Sequence, residues 1–262
     1  TKMVKSWYNK RKDNRKCSAM PSPMMTQYLE LKQQYPHDIL LFRLGDFYEM
    51  FGEDAKTASK LLDLVLTKRK NKADGEIPMC GVPFHSADSY IAKLVRAGYS
   101  VALGEQTEDA SEAKGLVNRD VIRVITPGTI MLAGGVEETS HNFIAAVNTH
   151  KDQWAYALAD ITTGTFLAGT VPERQGLDII RMYGVKEVVL SRSDTQAQSQ
   201  LSREQGLKLV SESRWSFDQE RARELLTAQW GVKSLEGFGF HADDPAIGAA
   251  GALLAYLKYT QH

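Results

Sequence analysis

The stretch Leu41-Phe42-Arg43-Leu44-Gly45-Asp46-Phe47-Tyr48-Glu49-Met50-Phe51 (LFRLGDFYEMF) decides how this chain is read. An apolar, strand-like run reaches a Gly-Asp turn, and an aromatic pair and an acid follow at once. An aromatic after a strand is most often core. The other reading presents Phe47 outward as an apolar wedge, with the Glu49 carboxyl two residues away. Wedges of this kind enter the minor groove, unstack a base step and kink the duplex. The cost falls where pairing is already defective, so a Phe wedge selects by deformability and not by a base code. Glu49 adds nothing to phosphate affinity. Desolvated near phosphates, its pKa rises, and a protonated or proton-sharing carboxyl can hydrogen-bond a displaced base.

Outward from this stretch the chain alternates helix and strand signals. Ser22 and Pro23 open a helix through Met25, Tyr28, Leu29 and Leu31 that Pro36 ends. Residues 38–45 read as a buried strand. Residues 53–66 start as an amphipathic helix with Ala55, Ala58, Leu61 and Leu62 on one stripe and pass into a strand near Leu64–Thr67. The basic run 67–72 reads as part of a polar loop with Gly75 as its turn residue. Ser86 is placed to cap a helix whose Tyr90, Ile91, Leu94 and Val95 face inward and which stops at Gly98. Strands follow at 100–103 and from Arg119 through 126, the latter closed by Pro127-Gly128. Residues 133–140 are glycine-rich, then acidic, and read as a linker. Beyond them three consecutive strands turn at Lys151-Asp152 and Thr163-Gly164, followed by a helix, a strand, a polar helix, a strand and two helices.

Of 262 residues, 43% are hydrophobic and 24% charged, an ordinary globular composition. The 32 basic and 32 acidic side chains cancel. Residues 1–20 hold seven Lys/Arg against Asp13, however, so the remainder is net negative and any nucleic-acid contact is local. That lead is compatible with a flexible tail, a tag, an organelle-targeting piece or a nucleic-acid arm. Cys17 and Cys80 form no motif, as expected in a reducing compartment. No apolar stretch approaches the roughly 18 residues that span a membrane, and the amino terminus has no secretory signal.

Familiar catalytic patterns are missing. There is no phosphate-binding G-x-x-x-x-G-K-[ST] loop, no Cys/His metal spacing and no nucleophile elbow. The glycines of GAAGALLAY, 248–256, sit in a helical pattern and read as close-packing positions. His85, just before a helix, reads as structural. Asp160, in a three-strand meander, is where ribonuclease-H-like nucleases begin a metal site. Two-metal cleavage needs convergent carboxylates, and neither Glu187, at a strand start, nor Asp243-Asp244, a helix cap, supplies them convincingly. The four cations of 67–72 can track phosphates or form a solvated loop.

The ordered series GDFYEMF, with PMMTQYLELK before it and LTKR, IPMCGVPFHSADSYIAKLV, GEQ and RDVIRVITPGT after it, resembles the amino-terminal part of bacterial-type MutS DNA mismatch-repair proteins. The match runs from Pro21 to Thr129 and continues more weakly to the end. Departures are Gly104, where the family often has Cys, and an unusually basic KRKNK. The resemblance implies an α/β chain: a basic lead or tag at 1–20, a mixed-sheet mismatch-recognition domain at 21–132, a linker at 133–140, and a ribonuclease-H-like connector domain without nuclease chemistry at 141–262. It puts the wedge on Phe47 and the base contact on Glu49. Backbone contacts fall on Lys68, Arg69 and Arg119, and Tyr48 packs beneath the wedge.

The implied ligand is double-stranded DNA with mispairs or small loops. No cofactor is implied for this front third of the family; ATP and Mg²⁺ belong to an ATPase domain beyond it. The implied partners are a second copy and downstream repair proteins, not a membrane. The implied location is cytoplasmic and nucleoid-associated, or an organelle if the lead is a targeting segment. Two rivals stay open: a metal-dependent nuclease built on the second half, and a protein-interaction module.

Overall fold

A computed structural model describes residues 21–71, 73–108, 116–130, 141–211 and 217–261. The expected lead at 1–20 and linker at 133–140 lie outside them. The chain divides into two compact units, with the boundary between Thr126 and Pro127.

The first unit contains α1 (Pro23–Gln34), β1 (Ile39–Leu44), β2 (Phe47–Phe51), α2 (Gly52–Leu62), β3 (Thr67–Asn71), β4 (Gly75–Pro83), α3 (Ala87–Arg96), β5 (Val101–Gln106) and β6 (Arg119–Ile125). Its six strands lie in the order β3-β4-β2-β1-β5-β6. Only β1 and β5 pair in parallel; every other neighbour is antiparallel. Ser22 caps α1 by accepting from the Met25 N–H, and its own N–H and hydroxyl donate to the buried Asp74. A second buried acid, Asp54 of α2, accepts from the Leu40 N–H at 3.0 Å and from Lys32 Nζ of α1 at 2.8 Å. It thereby joins two helices to the first residues of β1. Tyr28 packs edge-on against Phe42 and Phe51.

Three local expectations change. Residues 67–71 are a strand, not a loop: they pair with 75–79 in a hairpin, and the expected strand at 64–67 is not formed. Asp63 leaves α2 in the left-handed region at φ 55° and turns the chain outward. Val65 and Leu66, beyond that turn, are exposed, and so is Leu61 on the outer face of α2, which therefore does not belong to the buried stripe. The cations suit β3 because it is an edge strand, where charge blocks pairing with another chain. Finally, Ser86 makes no side-chain cap; its hydroxyl donates to the Pro83 carbonyl.

The second unit contains β7 (Phe143–His150), β8 (Gln153–Asp160), β9 (Thr165–Pro172), α4 (Gly176–Met182), β10 (Glu187–Leu190), α5 (Thr195–Leu201), β11 (Lys208–Ser211), α6 (Gln219–Trp230) and α7 (Ala246–Thr260). Its strand order is β11-β10-β7-β8-β9. The antiparallel meander β7-β8-β9 turns at Lys151 (φ 55°) and Gly164 (φ 72°), the expected turns. β10 and β11 add in parallel. Alternation along β7 sends Ile144 and Ala146 towards α6 and α7, and Phe143, Ala145 and Val147 towards α4 and α5. This three-layer arrangement is ribonuclease-H-like. Gly248 and Gly251 are close-packing positions: a Cβ on Gly251 would stand 2.3 Å from the Cβ of Ala222 in α6.

Candidate nucleic-acid interface

The opening stretch folds as a two-residue hairpin. Leu44 pairs with Phe47 across Gly45-Asp46, and Gly45, at φ +59°, takes the left-handed conformation that a tight turn requires. Phe47 therefore begins β2 and does not merely follow a turn. Side chains alternate along the strand, so Phe47 and Glu49 share one face and Tyr48 takes the other. Phe47 is 48% exposed and Tyr48 is 5% exposed. Phe47 thus stands half-exposed at the start of β2, and its neighbour Tyr48 is core.

The turn is pinned from several directions. Tyr48 donates its hydroxyl to Glu105 of β5; burial, then that bond, raises its pKa. Arg43 donates through Nε to the Gly45 carbonyl and lies 3.6 Å from Glu105. The Asp46 carbonyl accepts the Phe84 N–H at 2.9 Å. The Arg43 guanidinium sits 3.7 Å from the Phe84 ring centroid, a cation–π contact that fixes a second exposed aromatic next to the turn. Sequence reasoning passed over Arg43 and Phe84. Their signal, a cation in an apolar strand and an aromatic after Pro83, has no meaning until β2 and β4 are paired.

Glu49 is half-buried. Burial raises its carboxyl pKa above the ordinary value, and the nearby Arg69 partly offsets this. Arg69 Nη1 is 3.5 Å from Glu49 Oε2. The two belong to β2 and β3, with β4 between them.

The basic run divides by the same alternation. Arg69 lies on the Phe47–Glu49 face. Lys68 and Lys70 point to the opposite face, where they flank Glu76 at 3.0 and 2.8 Å. Arg119 opens β6. It donates to the carbonyls of Arg43 (2.6 Å) and Val117 (2.7 Å) and to Gln27 (3.3 Å), above the Phe42 ring. Of the expected backbone contacts, Arg69 is therefore beside Phe47 and Glu49, Lys68 is across the sheet, and Arg119 clamps β1. His85 is exposed, with its ring edge-on to Phe84.

In the second unit Asp160 is buried and accepts from the Thr162 N–H and hydroxyl and from His141 at 3.1 Å. Glu187 accepts from the Tyr256 hydroxyl (2.7 Å) and the Gly128 N–H (3.1 Å). Asp244 caps the start of α7 through the Ala246 N–H. Among the described residues no group of three or more His, Cys, Asp or Glu is placed to hold a metal ion, and no helix is long and apolar enough to cross a membrane.

Residues 22–133 match the family model of MutS domain I, and residues 142–262 that of MutS domain II. Similar relatives are named DNA mismatch repair protein MutS. That of Syntrophobacter fumaroxidans is 44% identical over 242 residues, covering 90% of this chain and 27% of the relative. Those of Desulfatibacillum aliphaticivorans and Syntrophomonas wolfei are 42% and 43% identical, each over 92% of this chain. The chain spans 27–29% of the length of these relatives. It belongs to the MutS family, and its two units are that family's mismatch-recognition and connector domains.

Proposed function

We propose that this MutS-family chain binds duplex DNA at mispaired or unpaired bases, as the recognition step that initiates mismatch repair. Phe47 enters from the minor groove as a wedge, and Glu49 hydrogen-bonds the displaced base. The observation that carries this reading is the hairpin itself: a half-exposed Phe on a rigidly pinned turn, with a desolvating carboxyl two residues along the same face. A core aromatic does not stand open, and a floppy loop cannot deliver an unstacking force.

Arg69, on that face, is the best-situated phosphate contact. Lys68 reaches a phosphate only around the edge strand. Arg119 has carbonyl and amide partners within the domain, so it contributes chiefly by holding β1 and the turn. No bond is made or broken in this step, and it needs no cofactor. ATP and Mg²⁺ belong to an ATPase domain elsewhere in a longer MutS polypeptide, which would also pair two copies. The connector unit would carry contacts to downstream repair proteins.

The test is fluorescence anisotropy of this chain with a labelled duplex carrying one unpaired base, against the perfect duplex, across a salt series. The expected result is tighter binding to the defective duplex at every salt concentration. Equal affinity for the two refutes the reading, and no binding at low salt favours the protein-interaction module.

A further inference from the structure

The side chain assigned to the base and the cation best placed for the backbone are, in the free protein, bonded to each other. Arg69 Nη1 and Glu49 Oε2 are 3.5 Å apart, although β4 runs between their strands. The β4 residue opposite Glu49 is Gly81, over which the pair reaches. A Cβ there would stand 3.6 Å from Glu49 Cγ and 3.3 Å from the Tyr48 carbonyl oxygen. A Cβ would thus touch the Glu49 side chain at ordinary van der Waals distance, and the carboxyl leans over β4 towards β3. Around Glu49 on that face are Phe42 of β1, Phe47 of β2, the bare Gly81 of β4 and Arg69 of β3. Arg69 is the charged group that acts on it.

We infer that Glu49 and Arg69 form a latch across Gly81, which opens only when DNA takes Arg69 to a phosphate and leaves Glu49 for the base. The argument runs on charge. A lone carboxylate beside phosphates is repelled and desolvated, so its neutral, hydrogen-bond-donating form is favoured once its cation departs. With the cation in place, Arg69 partly offsets the rise that burial gives the carboxyl and so favours its ionised form. Seating Arg69 on the backbone therefore prepares Glu49 to donate a hydrogen bond to a displaced base. On sound duplex Phe47 displaces no base, opening has no return, and the pair stays closed. Arg69 is then a positioning residue for selectivity. In its consequence for DNA this rests on the wedge reading; in its geometry it does not.

Two readouts separate the two ideas. In the free chain, the Glu49 carboxyl carbon is followed by NMR through a pH titration in wild type, Arg69→Gln and Arg69→Lys. Removing the cation raises proton affinity by roughly two- to fivefold, the worth of a partly exposed ion pair, and lysine restores part of it. A midpoint that Arg69→Gln does not move overturns the latch.

On sound duplex, Glu49→Gln frees Arg69. The log–log salt slope steepens by about one phosphate contact, ~0.9, and Arg69→Gln in that background removes the gain. Arg69→Gln also costs more affinity in the Glu49→Gln background than in wild type. An unchanged slope, or strictly additive single effects, overturns the latch as well. If Phe47→Ala leaves the preference for defective duplex intact, the wedge reading fails and the coupling to DNA fails with it, whatever the titration gives.

Discussion

Phe47→Ala separates a wedge from a core residue, because the two predict opposite pairs of results. Phe47 retains 48% of its exposure, so about half of its side chain leaves water on folding. Burying a whole Phe side chain is worth about 1.5–3 kcal/mol, which puts truncation here at roughly 1 kcal/mol. For a domain near this size that lowers Tm by about 4–8 °C. Phe42 has no exposed area, and truncating such a residue costs about 3–5 kcal/mol, several times the shift. Stacking of a base on an aromatic side chain is worth about 1–3 kcal/mol. The ratio of affinities for defective over sound duplex should therefore fall about 5- to 150-fold. Calorimetric melts of wild type, Phe47→Ala and Phe42→Ala give the first quantity, and anisotropy titrations with the two duplexes give the second. A melt of Phe47→Ala matching that of Phe42→Ala would make Phe47 core. An undiminished ratio with a normal melt would leave the wedge without support.

Other predictions concern the second unit. Glu187→Ala leaves the Tyr256 hydroxyl and the Gly128 N–H without their buried acceptor; unit two should lose about 3 kcal/mol, and a loss within the noise of the melt would mean that water substitutes. Gly251→Val drives side-chain atoms into Ala222 of α6 and should cost about 1–3 kcal/mol by overpacking, read from a urea melt; an unchanged midpoint refutes the close-packing role. Burial alone would raise the Asp160 pKa, but hydrogen bonds from Thr162 and His141 outweigh it and hold the carboxyl below its ordinary value. A depressed folded-state pKa gives stability that is present above the unfolded value of about 3.9 and lost as pH falls through the folded value. The stability gap between wild type and Thr162→Ala should therefore be open at neutral pH and close in strong acid; a gap independent of pH would assign it to packing. Added Mg²⁺ or Mn²⁺ should leave labelled duplex intact, whereas cleavage that Asp160→Ala abolishes would establish a nuclease.

What the sequence by itself determined is the local grammar. Ser22-Pro23 opens α1, Gly98 (φ +89°) follows α3, and Lys151 and Gly164 turn the meander, because capping, left-handed φ and alternation act over a few residues. The ordered motifs likewise carry the family and single out Phe47 and Glu49. Tertiary structure decided how those residues are used, because strand pairing sets the facing of side chains that lie far apart in sequence. The run Lys68-Arg69-Lys70 looks like one cationic cluster. Once it pairs with 76–78 as an edge strand, alternation sends Arg69 to Glu49 and both lysines to Glu76. β6 likewise brings Arg119 to the Arg43 carbonyl, a contact that neighbouring sequence does not show. Gly81 carried no signal at all, since an empty place between two strands has meaning only when a carboxylate must cross it.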